Sequence, residues 1–113
     1  MATIKPALHS PQARADIESA IDYYAVEAPH MVAHFIDALE KATTHIQRAP
    51  GTGSPRYAVE LNLPSLRFWA LNKFPFSLFY TQHEDHLWVI RLVHMSRDIP
   101  VSLQEKPPTA GKV

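Results

Sequence analysis

Six residues in the second half of the chain have the types and spacing for work on an anion. Arg67, Tyr80 and Arg91 each stand in a segment rich in aromatic and β-branched residues. His94 closes the last of these segments and is followed within a few residues by Arg97 and Asp98. Guanidinium groups grip phosphate or carboxylate in a forked geometry. A tyrosine or histidine beside them can move a proton. Such a set can steady a phosphate during transfer, or hold an acidic partner with no chemistry at all. Plainer roles stand beside these. An arginine within a strand can be neutralised by a structural ion pair, here with Glu60 or Asp98, or can lie on a solvated face. His94 can hold the chain end through a hydrogen bond while Arg97 and Asp98 pair locally.

Other chemistries find little support. The chain has no cysteine, so neither disulfides nor thiolate metal sites are available. His83 and His86 flank Glu84-Asp85 and read as a polar hairpin tip. His30 and His34 are one helical turn apart, with His45 further along, but no third ligand is placed to complete a metal site. Phosphate-loop, dinucleotide and metalloprotease motifs are absent, and no cofactor is expected. The 11 Lys/Arg balance the 11 Asp/Glu, which argues against a strongly basic nucleic-acid binder, and no direct sequence-specific contact to nucleic acid is expected. Residues 1–55 carry a net −2 and residues 56–113 a net +2, so a surface for an anion belongs to the second half. No basic stretch followed by a long apolar run opens the chain, and no run approaches the roughly 18 apolar residues of a membrane span. A soluble, cytoplasmic protein is expected.

The elements that must position these residues follow from period and punctuation. Ser10 caps a helix with Pro11 at its first position. Ala13, Ile17, Ala20, Ile21 and Tyr24 recur at helical spacing, with Arg14, Glu18 and Asp22 opposite. Glu27-Ala28-Pro29 breaks the pattern, and Pro29 starts a second helix with Val32, Phe35, Ile36, Leu39 and Ile46 as its stripe; Pro50-Gly51 ends it. So short a link makes an antiparallel hairpin. Residues 66–72, 76–82 and 87–94 then read as a three-stranded antiparallel meander, and residues 4–8 as a further strand. The fold class is α+β, one domain over residues 1–103, with a polar, proline-rich and mobile tail at 104–113.

Counting back from the turns pairs Thr81 with Trp88, Phe79 with Ile90, Ser77 with Leu92 and Arg67 with Tyr80. Alternation then predicts two faces. Leu66, Phe68, Ala70, Phe79, Trp88, Ile90 and Leu92 make an apolar face that should meet the helices. Arg67, Trp69, Leu78, Tyr80, Val89 and Arg91 make a mixed, open one.

Two blocks carry a resemblance. Residues 66–80, with Leu66-Arg67, Trp69, Phe74-Pro75-Phe76 and Phe79-Tyr80, are similar to the pattern of ParE-type toxins in the RelE/ParE superfamily. Residues 88–100 resemble that family's last strand and tail, with Arg91, His94 and then Arg97-Asp98-Ile99-Pro100. Ile21-Asp22-Tyr23-Tyr24 and Phe35-Ile36-Asp37-Ala38-Leu39 fit its helix pair, and the likeness runs from about Ala13 to Leu103. The chain departs from the pattern at Met95-Ser96, where a glycine is common, and in the 50–55 loop, which lacks the usual Gly-Arg pair unless Arg56 serves. The resemblance implies a type II toxin neutralised by a ParD-like antitoxin that folds on binding, and a target in DNA gyrase. RelE-type relatives with the same fold instead cut messenger RNA on the ribosome. There Arg67 and Arg91 would steady phosphate, and Tyr80 or His94 would move the proton. A degenerate toxin that still pairs with an antitoxin is a third implication. With no lysine cluster and no well-placed carboxylate, the binding toxin without catalysis is the preferred expectation, with Arg67, Tyr80, Arg91, His94, Arg97 and Asp98 as its functional surface.

Overall fold

In the computed structural model, residues 4–96 and 99–104 are described. Strand β1 (Ala7–His9) runs directly into helix α1 (Pro11–Glu27), and a single 3₁₀ turn (Pro29–Met31) links α1 to α2 (Val32–Arg48). Strands β2 (Arg67–Ala70), β3 (Phe76–Gln82) and β4 (Leu87–His94) follow, and a short helix α3 (Ile99–Gln104) closes the described chain. Strands β2, β3 and β4 form the expected antiparallel meander. Strand β1 adds to it in parallel, Ala7 against Leu87 and His9 against Val89, giving the order β1-β4-β3-β2.

Local chemistry explains the helix starts. Ser10 is the N-cap of α1, its Oγ accepting from the Ala13 N–H at 2.9 Å, with Pro11 at the first helical position. The same hydroxyl donates to the Ile90 carbonyl at 2.6 Å, and the Ser10 N–H donates to the Val89 carbonyl at 2.9 Å. One buried serine thus both starts α1 and fastens it to β4. Pro29 begins the 3₁₀ turn rather than α2 itself.

Two of the expected pairings hold, Thr81 with Trp88 and Arg67 with Tyr80. The other two are shifted by one residue. Phe79 lies opposite Arg91 and Ser77 opposite Val93, because Tyr80 still pairs with Val89 and Ile90 is left over as a β-bulge.

The facing expectation is reversed for most residues, although Leu92 meets the helices as expected. Leu78, Tyr80, Leu87, Val89 and Leu92 pack with Ala13, Ala20, Phe35, Ala38, Ala42 and Ile46 of the helices, with Trp69 at the edge of that core. Leu66, Phe68, Phe79 and Ile90 lie on the opposite face, where Tyr57, Ala58 and Leu61 cover them together with Ile99 and Leu103 of α3. Trp88, expected in the central core, stands half-buried outside both clusters. Alternation tells the two faces apart only when one of them is wet. Here both are covered, so both are apolar. In α2 the buried stripe is Phe35, Ala38, Ala42 and Ile46, and Ile36 is turned toward solvent.

Candidate functional site

Arg91 is buried, and among the described residues it meets a carboxylate that the sequence reading had not named. Its Nε donates to Asp16 Oδ2 at 2.6 Å and its Nη2 to Asp16 Oδ1 at 3.0 Å, the forked geometry that guanidinium and carboxylate favour. Asp16 Oδ2 also accepts from the Leu92 N–H at 3.1 Å. Asp16 therefore satisfies a backbone donor just past the bulge as well as a charge. Glu60, one of the two partners expected for an arginine, is exposed, and Asp98, the other, lies outside the described residues. A signal for Asp16 was present: it is three residues after Ala13 and one before Ile17, on the flank of the inward stripe.

Arg67 and Tyr80 are cross-strand neighbours, as expected, and both are tied to the segment after α2. The Tyr80 ring is fully buried, and its hydroxyl donates to the Pro50 carbonyl at 2.6 Å. Burial pushes its phenol above the ordinary range, opposed by a hydrogen bond from the Gly53 backbone and by the Arg67 charge. Arg67 donates from Nη1 to the Gly53 carbonyl at 2.7 Å. Gly53 has no substitute here, because a Cβ would run into the Tyr80 hydroxyl. Ser54 completes the clamp by exchanging both backbone hydrogen bonds with Phe68, at 2.9 and 3.0 Å.

His94 ends β4, half-buried, with its ring edge-on to Phe76. Its Nδ1 accepts from the Ser96 N–H at 3.2 Å and lies 2.7 Å from Ser96 Oγ. A backbone N–H can only donate, so the neutral ring carries its proton on Nε2. Arg97 and Asp98 lie outside the described residues. The structure thus brings Arg67 to Tyr80, turns Arg91 away to α1, and leaves His94 at the strand end opposite Phe76. No single cluster of the four forms.

The histidines of the β3–β4 turn and of the helix hairpin are engaged locally or exposed. His83 and His86 stack at the β3–β4 turn with ring centroids 4.7 Å apart. Asp85 accepts from His86 at 2.7 Å, which holds its carboxyl below the usual range. His45 stacks on Trp69, and His30 and His34 are exposed on the helix hairpin. Among the described residues no group of three His, Asp or Glu side chains is placed to hold a metal ion, and no helix is long and apolar enough to cross a membrane.

With that geometry in view, the model of one family, the ParE toxin of the type II toxin–antitoxin system parDE, matches residues 8–99. The chain belongs to the ParE toxin family. A solved structure described as a chromosomal ParDE toxin–antitoxin system from P. aeruginosa has the same fold, with a TM-score of 0.66 at 18% identity, covering 80% of this chain and 96% of that one. No curated protein matches the sequence significantly. The ParE match spans the chain from β1 to the first residue of α3, and so takes in the bulge, the Asp16 contact and the Pro50–Ser54 clamp.

Two outcomes follow for the residues just placed. Asp16→Ala should lower stability by about 3–5 kcal/mol in urea unfolding, since it strips a buried guanidinium of this carboxylate. The pair Asp16→Leu with Arg91→Met should recover part of that loss, since the two charges are removed together; full additivity of the two losses would show that they do not interact. Tyr80 gives a pH signature. Its folded-state pKa is raised, so its contribution is complete below the unfolded tyrosine value near 10 and is lost as pH rises through the folded one. Tyr80→Phe should therefore be less stable at neutral pH by about 1–2 kcal/mol. Its melting temperature should fall less steeply above pH 10 than that of the parent, and equal slopes would contradict the assignment.

Proposed function

We propose that this ParE-family toxin arrests DNA gyrase by binding it, performs no catalysis of its own, and is neutralised by a ParD-like antitoxin that folds onto it. The observation that carries the reading is the use to which the polar groups of the sheet are put. Cleavage of RNA through its 2′-hydroxyl needs accessible groups to move protons and steady a phosphate. The Tyr80 hydroxyl is fully buried on the Pro50 carbonyl, and the Arg91 guanidinium is buried on Asp16. Arg67 is half-buried against Gly53. Three of the candidate groups therefore brace the fold. Among the described candidate residues, the surface left for a target is the backbone at the end of β4 and the outer side of Arg67. The antitoxin follows from family membership, and action on gyrase implies a cytoplasmic protein.

The test is direct. Purified toxin should inhibit gyrase supercoiling and trap cleaved DNA, and should leave ribosome-bound messenger RNA intact. His94→Ala should then alter inhibition only as far as it alters stability. Messenger RNA cleavage by the wild type, slowed about 10²–10⁴-fold in a normally folded His94→Ala protein, would replace this reading with a ribosome-dependent endoribonuclease.

A further inference from the structure

We propose that the last turns of α1, with Tyr23 and Val26 at their centre, form a surface with which this toxin grips the enzyme it arrests, and that the surface takes a loop of that enzyme bearing arginine or lysine. This rests on the gyrase reading above.

Tyr23 and Val26 are three residues apart, share one side of α1, and are 59% and 77% exposed. Asp22 stands one helical turn before Val26 and Glu27 one turn after Tyr23, and both are exposed, so the four make one patch. The patch has a fixed base. Tyr23 stands edge-on to Tyr24, with ring centroids 5.3 Å apart. Tyr24 packs in turn against Phe35, Phe74 and Phe76 at 5.3, 5.5 and 6.5 Å. An exposed ring on a packed base loses little freedom when a partner covers it, and tyrosines of this kind are frequent anchors of interfaces.

Charge names the occupant. Among the described residues, the carboxylates held in ion pairs are those of Asp16, Asp37 and Asp85. Asp22, Glu27 and Glu18, a turn before Asp22, meet no cation within that reach. Glu27 is also the last residue of α1, where the helix dipole puts its negative end, and the last turn holds no basic residue. The helix alone gains nothing from a carboxylate there. A cation brought to the patch would meet carboxylates, dipole and an exposed tyrosine ring together, and such rings attract guanidinium and ammonium groups. An enzyme that holds DNA must offer lysines and arginines to phosphate, so its surface complements this one. A second copy of the patch would instead bring carboxylate against carboxylate.

The test is a gyrase supercoiling titration with the full-length toxin and three single variants. Tyr23→Ala removes the anchor and should raise the concentration for half-inhibition about tenfold or more. Tyr23→Phe keeps the ring and should inhibit as the wild type does. Glu27→Lys reverses the charge and should also weaken inhibition about tenfold. Its melting temperature should nevertheless equal or exceed that of the wild type, because a lysine suits the negative end of a helix. A merely structural role for Glu27 would move the two readouts together. Inhibition within about threefold of the wild type by folded Tyr23→Ala and Glu27→Lys proteins would overturn the site and leave the gyrase reading intact. Loss of self-association or of antitoxin binding in Tyr23→Ala, with inhibition kept, would overturn it too and give the patch to that partner. No inhibition by the wild-type toxin would remove both.

Discussion

The bulge at Ile90 is the point on which the rest of the molecule depends. Where β4 skips a residue, its backbone leaves the regular ladder, and the polar groups there must find partners elsewhere. The start of α1 supplies them. Ser10 takes the Ile90 carbonyl, and Asp16 takes the Leu92 N–H and the Arg91 guanidinium together. The helix hairpin is therefore oriented on the sheet by polar contacts at one place and by apolar packing of Phe35, Ala38 and Ile46 everywhere else. Burying a charge pair is worth little on average. Here its worth lies in register, because Asp16 fits only a β4 that carries the bulge.

A second consequence concerns where this ParE-family chain can meet anything. Both faces of the sheet are covered, one by the helix hairpin and the other by residues 57–66 with α3. Arg67, Tyr80 and Arg91, three of the residues that look most chemical in the sequence, are tied to Gly53, Pro50 and Asp16 within the fold. Among the described residues, the outer edge of β2 and the tip of the helix hairpin, where Tyr23 and Val26 are exposed, stay open.

Much of this was legible in the sequence because it is local. Ser10-Pro11 declares a helix start by its own chemistry, and the pairings reached without crossing the bulge, Thr81 with Trp88 and Arg67 with Tyr80, follow from counting. The blocks around Trp69 and Arg91 pointed to the right family. What could not be counted was non-local. The bulge exists because α1 docks there, so nothing within β4 announces it, and every pairing beyond it moved by one. Most of the faces were reversed because Tyr57, Leu61 and Ile99, which stand outside the strands, dry the side that was expected to meet the helices. Arg91 looked like a functional arginine because its carboxylate lies 75 residues away.

If Arg91 and Asp16 serve the fold and the proposed binding mode holds, the Arg91 guanidinium is dispensable for inhibition. The measurement closest to it is a gyrase supercoiling titration with the Asp16→Leu/Arg91→Met protein, at a temperature where circular dichroism shows it folded. Inhibition is expected at toxin concentrations within about threefold of the wild type, a difference too small to mark a lost functional contact. A folded double variant that leaves supercoiling untouched at concentrations where the wild type stops it would return Arg91 to the functional surface.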